Sequence, residues 1–149
     1  MLPPFAFNQW FRSANTSGSY ETSRRTEALD KQAREVAGRF LGCAADEVTF
    51  GPNMTTLTFH ISRSLAREWR SGDVVVVTRL DHDANVRPWV QWAEASGVDV
   101  RWARVDVESG ELPADQYGEL VDDRTRVVAV TGASNVLGTR PDVRAITDV

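Results

Sequence analysis

The chain has 149 residues, 42% of them hydrophobic, and a formal net charge of −4, which suits one domain with a buried core. The mild acidity gives no reason to expect binding to nucleic acid or a membrane surface, and no apolar run approaches the roughly 20 residues that span a bilayer. A single cysteine, Cys43, excludes an internal disulfide, and the start lacks the pattern of a secretory signal. We therefore expect a cytoplasmic protein.

The first part of the chain predicts two amphipathic helices joined by a short strand. An apolar, aromatic start (residues 1–15) is expected to pack on further chain or a partner. Residues 22–41 predict the first helix with Gly42 as its C-cap, residues 47–50 predict the strand, and Asn53 is the N-cap of a helix to about residue 69. The apolar residues expected to face the core are Ala28, Leu29, Ala33, Val36, Ala37 and Phe40 in the first helix, and Leu57, Ile61, Leu65 and Trp69 in the second.

From residue 74 onward, predicted strands and helices alternate. Four consecutive valines, residues 74–77, indicate a fully buried strand, and further strands are predicted at residues 98–105 and 126–131. Helices are predicted from Pro88 to Gly97, at residues 112–121 and from residue 142. This order predicts an α/β fold with three layers, in which a mostly parallel sheet carries helices on both faces.

Polar clusters follow three of the predicted strands, at residues 51–56, 81–87 and 132–135. Ligands of open α/β sheets bind beyond the carboxyl ends of the strands, so the three clusters predict one site. The first cluster begins a helix, where free N–H groups and two hydroxyls suit a phosphate, although an ordinary N-cap has the same residues.

Histidine and asparagine dominate the other two clusters. His82, between two aspartates, suits acid/base chemistry, stacking on a flat ligand or metal binding, and an exposed loop histidine is the plain alternative. A metal site has little support, because the only other histidine, His60, lies within a helix. Asn135 could donate to a ligand oxygen or simply form a turn.

Nucleophilic catalysis has weak support in this sequence. A triad of Ser134, His82 and Asp81 lacks the G-x-S-x-G elbow of a hydrolase. Cys43 follows a helix-capping glycine beside two alanines, without an activating base, which indicates a structural thiol.

Taken together, the three clusters resemble motifs of the class V aminotransferase family, the pyridoxal-phosphate (PLP) enzymes of fold type I. The nearest group is the cysteine desulfurase/selenocysteine lyase-like branch. The matching stretches are the Gly/Thr-rich turn FGPNMTTLTF, the motif DHDANVRPW where the family has E-H-x-x-N-x-x-P-W, and SNVLGT where it has S-N-x-x-G-T. The resemblance implies that residues 1–149 are the N-terminal part of a PLP-dependent transferase large domain, with the rest of that domain and the small C-terminal domain absent.

The resemblance also implies roles for individual residues. Met54 and Thr55 would hold the PLP phosphate through backbone N–H and hydroxyl groups. His82 would stack on the pyridine ring and relay protons, which makes it the catalytic residue of this part, and Asn135 would donate to the phenolic oxygen of the ring. The residues shaping the pocket for a small amino-acid substrate would be Asn85 and Arg87.

Two groups that PLP chemistry needs are expected to be missing. In the family, the Schiff-base lysine and the carboxylate that keeps the pyridine nitrogen protonated follow the S-N-x-x-G-T motif, and this chain stops at Val149 before either. Its only lysine, Lys31, lies on the first predicted helix. We expect this chain alone to be inactive and to hold PLP poorly, whereas the full-length form, a homodimer by resemblance, would cleave a bond at Cα or the Cβ–S/Se bond of an amino acid.

Two other interpretations remain open. The chain could be a non-catalytic truncated or split-gene fragment that only folds or binds a partner chain, which the missing lysine and the aromatic start favour. A less supported alternative is an unrelated phosphate-ligand-binding domain of doubly wound fold.

Overall fold

The computed structural model describes residues 18–149, which form two compact units divided between Phe50 and Gly51. In the first unit, helix α1 (Glu21–Leu41) ends at Gly42 with a φ of 75°. Only glycine adopts this left-handed conformation readily, so the predicted C-cap is confirmed. The apolar start at residues 1–15 lies outside the described residues.

The predicted strand at residues 47–50 is wrong. A 3-10 turn (Ala45–Glu47) takes its place, and within residues 18–149 the segment that follows this turn pairs with no strand. The carbonyl of Val48 instead accepts a hydrogen bond from the Arg34 side chain. An extended segment becomes a strand only where its backbone N–H and C=O groups pair with a neighbouring strand. Here one of these groups, the Val48 carbonyl, pairs with a side chain instead.

The predicted core face of α1 is only partly correct. Leu29, Ala33 and Ala37 are half-buried, but Phe40 is 88% exposed. The buried positions include Gly38, where an added Cβ would lie 2.8 Å from the carbonyl oxygen of residue 43. The chain therefore folds back over the small residues of α1 and leaves a large aromatic ring outside. The other expected core residues that lie exposed are Ala28 and Val36.

The second unit is built on three parallel strands in the order β2-β1-β3. Each strand is followed by a helix or a helix-containing connection, as expected for parallel pairing. The elements are α2 (Met54–Leu65), β1 (Val74–Thr78), α3 (Arg87–Ser96), β2 (Asp99–Ala103), α4 (Tyr117–Leu120), β3 (Thr125–Val128) and α5 (Val143–Thr147).

Strand β1 is buried over its whole length, and its side chains alternate between two cores. One core contains Val74 and Val76 with Tyr117 of α4 and Ile146 of α5. The other contains Val75 and Val77 with Trp89 and Ala93 of α3. The three-layer α/β fold with helices on both faces of a parallel sheet is confirmed.

The predicted buried stripe of the second helix is wrong. Ile61 is 50% and Leu65 is 43% exposed, whereas the buried positions of α2 are Thr58 and Ser62. The two hydroxyls donate to backbone carbonyls of their own helix, at 3.0 and 3.1 Å, which removes the penalty of burying them. Helix α2 contacts α3, and its buried positions carry small side chains. Of the expected stripe, the half-buried residues are Leu57 and Trp69.

Several predicted elements exist but are shorter. The helix expected at residues 112–121 is limited to α4, and its first part has no regular secondary structure, contains Pro113 and buries Leu112. Strands β2 and β3 likewise cover only the middle or the start of their predicted ranges. Between residues 18 and 149, no helix has both the length and the apolar character needed to cross a membrane.

Removing buried volume from β1 tests the central position of this strand. Val76 is fully buried, so Val76→Ala should lower the free energy of unfolding by about 2–3 kcal/mol through lost burial and a residual cavity. Val107→Ala, at a position that is 93% exposed, should change it by less than about 0.5 kcal/mol. Urea denaturation followed by circular dichroism measures both, and equal effects would contradict a buried central strand.

A carboxylate in the connection between α4 and β3 is held by two arginines. Asp122 accepts hydrogen bonds from Arg101 of β2 at 2.8 Å and from Arg124 at 2.9 Å. These hydrogen bonds lower the pKa of Asp122 from its ordinary 3.8 to about 2, and the bond from Arg101 has the largest effect. The charged carboxylate is therefore favoured in the folded chain.

Acid titration should reveal this arrangement. Because folding lowers the pKa of Asp122, its stabilising effect is complete above about pH 4 and is lost as the pH falls through about 2. Asp122→Asn should flatten the loss of unfolding free energy in this window, measured by urea denaturation at stepped pH. The neighbouring exposed Asp123→Asn is the matched control, and an equal flattening there would disprove the assignment.

Candidate functional site

Helix α2 begins with an exposed amino-terminal turn. Asn53 is extended, and its side-chain Oδ1 accepts a hydrogen bond from the Thr56 N–H at 2.9 Å. The next two residues, Met54 and Thr55, have no carbonyl acceptor within the helix for their N–H groups, and both are exposed. The predicted N-cap is confirmed, and the two free amides give this turn the geometry of an anion site.

The loop after β1 is folded around a partly buried carboxylate. Asp81 accepts a hydrogen bond from the backbone N–H of His82 at 3.0 Å and another from the side-chain amide of Asn85 at 2.9 Å. Burial raises the pKa of Asp81, while these two hydrogen bonds act in the opposite direction. Burial outweighs the two donors, so the Asp81 carboxyl ionises less readily here than in water.

The imidazole of His82 projects from this loop into solvent. Its Nδ1 accepts a hydrogen bond from the Ala84 N–H at 3.1 Å. A ring nitrogen that accepts a hydrogen bond carries no proton, so the neutral ring has its proton on Nε2. The exposed ring thus presents a flat face and an outward N–H donor.

The two residues expected near a substrate differ in their surroundings. Asn85 is half-buried, and its Oδ1 accepts a hydrogen bond from the indole N–H of Trp89 at 3.3 Å. Arg87 is exposed and lies 3.5 Å from a carboxylate oxygen of Asp83. Arg87 could reach a ligand, whereas Asn85 has both ends of its amide engaged within the motif.

The loop after β3 is stabilised by a buried serine. The Ser134 hydroxyl accepts hydrogen bonds from the N–H groups of Val136 and Leu137. The backbone N–H of Ser134 donates to the Thr139 carbonyl at 2.8 Å. Asn135 lies exposed at the tip of this turn. The hydroxyl of Thr139 is buried and has no hydrogen-bond partner.

The topology brings these loops to one edge of the sheet. Strands β1 and β3 are adjacent and parallel, so the loops with His82 and Asn135 leave the sheet at the same carboxyl edge. Helix α2 contacts the turn Asp83–Asn85 within the first of these loops. Met54 and Thr55 thus belong to a helix that borders the same loop.

One neighbour of this site was missed by the sequence analysis. Tyr117 is fully buried, and its hydroxyl has no hydrogen-bond partner. Burial, and secondarily the charge of Asp81, raise the pKa of Tyr117 to about 12. The only sequence signal was a single aromatic residue in the stretch predicted as a short helix, and that signal did not show that its hydroxyl lies near Asp81.

Other candidate features belong to neither loop. A cleft of about 670 Å³ is lined by Trp69 and Arg126, which lie at the amino-terminal ends of β1 and β3. In the first unit, Lys31 and Cys43 are exposed. Across residues 18–149, no group of three or more His, Cys, Asp or Glu side chains is arranged to hold a metal ion. The remaining residues that line the cleft are Leu65, Arg67, Glu68 and Arg70.

Comparison with curated proteins gives relatives that are much longer than this chain. A probable cysteine desulfurase of Methanothermobacter thermautotrophicus is 35% identical over 144 residues, which are 95% of this chain and 35% of that protein. An uncharacterised protein of Mycobacterium tuberculosis is 37% identical over 134 residues, which are 90% of this chain and 34% of that protein. The chain therefore spans about a third of the length of the curated relatives it matches.

Solved structures and a family profile agree with these relatives. The cysteine desulfurase CsdA of Escherichia coli superimposes with a TM-score of 0.78 and 26% identity, over 97% of this chain and 37% of that one. A cysteine desulfurase of Thermococcus onnurineus, at 21% identity, shares the fold with a TM-score of 0.85 over 97% of this chain and 37% of that one. The profile of the family described as aminotransferase class-V matches residues 6–149. This chain belongs to the class V aminotransferase family.

Proposed function

We propose that residues 1–149 are the N-terminal part of the large domain of a PLP-dependent class V enzyme that acts on a small amino acid, as a cysteine desulfurase does. The observation that carries the proposal is the arrangement at one edge of the sheet. Two polar loops follow adjacent parallel strands there, and α2, whose first amides are free, contacts one of the loops. The match to relatives named cysteine desulfurases supports the same assignment.

The first turn of α2 would bind the phosphate of PLP. The free N–H groups of Met54 and Thr55 point away from the helix, and the helix dipole adds partial positive charge at this end. The first turn of α2 contains no acidic residue, so nothing within it repels a dianion. The Thr55 hydroxyl would supply one further donor.

The loops after β1 and β3 would hold the ring. The exposed face of His82 would stack on the flat pyridine, and its outward Nε2–H would donate a hydrogen bond to a bound ligand. The exposed amide of Asn135 would donate to the phenolic oxygen. When bound, PLP supplies an electron sink for bond cleavage in an amino acid, and the exposed Arg87 would pair with the carboxylate of that amino acid.

The covalent attachment of PLP and the partner for its pyridine nitrogen need groups from outside residues 18–149. The only lysine of the chain is Lys31, exposed on α1, so residues 51–149 would hold PLP by non-covalent contacts alone. A lysine for covalent attachment and a carboxylate for the pyridine nitrogen would have to come from other chain or from a partner. We further propose a homodimer in the cytoplasm, which fits an edge where Thr55, His82 and Asn135 are exposed.

A second function, that of a non-catalytic chain that binds a partner, has one observation in its favour. Helix α2 exposes Ile61 and Leu65, and the N-terminal unit exposes Phe40 and Leu41. Exposed apolar side chains on helices are typical of surfaces that a further protein element covers. Such a chain would not discriminate between PLP and unphosphorylated ligands.

Calorimetric titration with PLP and with pyridoxal, which lacks the phosphate, separates these functions. Wild type should bind PLP more tightly than pyridoxal. Asn53→Asp keeps a capping oxygen but places a negative charge beside the phosphate, so it should weaken PLP binding about tenfold, the effect of about 1.4 kcal/mol, without changing pyridoxal binding. Asn53→Ser, an equally good neutral cap, is the matched control and should remain within about twofold of wild type. Equal affinities for PLP and pyridoxal, or no effect of Asn53→Asp, would disprove the phosphate site.

A further inference from the structure

We propose that Asp81, Asn85 and Trp89 form a chain of hydrogen bonds that fixes the backbone and the tautomer of His82, so that Asn85 is a positioning residue and not a substrate contact. The functional importance of this chain depends on the role proposed for His82 above. The geometry itself is independent of any ligand.

The hydrogen bonds run in one direction, from the indole to the carboxylate. Trp89 Nε1 donates to Asn85 Oδ1 at 3.3 Å, and Asn85 Nδ2 donates to Asp81 Oδ2 at 2.9 Å. A reversed amide would face the indole N–H with its own N–H₂ group and the carboxylate with its oxygen. Both contacts would then be repulsive, so only one orientation of Asn85 satisfies its neighbours.

The chain is anchored in the core. Trp89 is 7% exposed and packs with Val75 and Val77 of the central strand. The three residues are spaced four apart, so the hydrogen bonds cross the turn Asp83–Asn85 and enter the first turn of α3. The loop that carries His82 is thereby tied to a side chain with little freedom to move.

The Asp81 carboxylate connects this anchored chain of hydrogen bonds to the backbone of His82. The second oxygen of Asp81 accepts the backbone N–H of His82 at 3.0 Å, which holds the start of the turn. The turn then directs the Ala84 N–H at Nδ1 of the imidazole, at 3.1 Å. With Nδ1 occupied as an acceptor, the neutral ring keeps its proton on Nε2.

Loss of the Asn85 side chain should therefore change the position and the tautomer of the His82 ring. Asp81 is partly buried and would lose its side-chain donor, and the unpartnered hydroxyl of Tyr117 lies within its electrostatic reach. A carboxylate that turns toward another donor would release the backbone of His82. The contact between Ala84 and Nδ1 would weaken with it.

Nitrogen-15 NMR of the full chain without PLP tests the proposal directly. The chain has two histidines, and His60→Gln assigns their ring signals. In wild type, His82 should show a single Nε2–H tautomer, and the Trp89 indole N–H should be protected from exchange. Asn85→Ala should convert His82 to a mixture of tautomers and speed Trp89 indole exchange at least tenfold. Gln91→Ala, on the exposed side of α3, is the matched control and should change neither signal.

Asp81→Asn provides a second, isosteric variant if Asn85→Ala fails to fold. This substitution replaces one carboxylate oxygen with an N–H₂ group and leaves the other as an uncharged acceptor. It should shift His82 toward the same mixture of tautomers. An unchanged His82 tautomer in a folded Asn85→Ala or Asp81→Asn chain would overturn the proposal. A wild-type chain with the expected tautomer that shows no preference for PLP over pyridoxal would reject the proposed function and leave the positioning role intact.

Discussion

The strand Val74–Thr78 is paired with a parallel neighbour on each side and covered by helices on both faces. All five of its side chains are buried, so neither its register nor its direction can change without exposing one of the two cores. The position at which the chain leaves this strand is therefore fixed. Asp81 follows only three residues after Thr78, the last residue of the strand, so the loop with His82 begins at a point set by the packing of valines.

The candidate site has buried supports and exposed tips. Ser134 is buried and accepts two N–H groups, while Asn135 beside it is exposed. Asp81 and Asn85 are partly buried, while His82 is exposed. Such an arrangement holds the exposed residues in place through hydrogen bonds that a ligand would not need to supply, and this preorganisation would reduce the entropy lost on binding.

The parts of the fold that the sequence predicted correctly depend on local chemistry. Four consecutive valines favour a buried strand in any context, the Asn53 cap needs only the N–H of Thr56, and Gly42 and Gly97 end helices with positive φ. One of the errors concerns which face of a helix is buried. The residues from Leu57 to Trp69 are spaced four apart, as the face of a helix requires, but α2 buries Thr58 and Ser62 instead. Burial of these two is possible because their hydroxyls donate to the backbone of the helix.

The site was predictable in outline and not in detail. The order of strands was enough to expect that the loops with His82 and Asn135 share an edge, since parallel strands end on the same side. The engagement of Asn85 by both Asp81 and Trp89 depends on rotamers, which no spacing rule specifies. The same holds for Tyr117, whose hydroxyl lies buried near Asp81 although nothing in its neighbouring residues indicates it.

The central strand also has a consequence for the dynamics of the molecule. Amide protons of Val75 to Val77 lie between two ladders and beneath two layers of side chains, so they can exchange with solvent only when the whole unit opens. The hydrogen-bonded turns around Asp81 and Ser134 lie outside these ladders, so they can open locally at lower free energy than the strand. Deuterium uptake should therefore rise within about ten residues, from the amides of the central strand to those of the turn that follows Asp81.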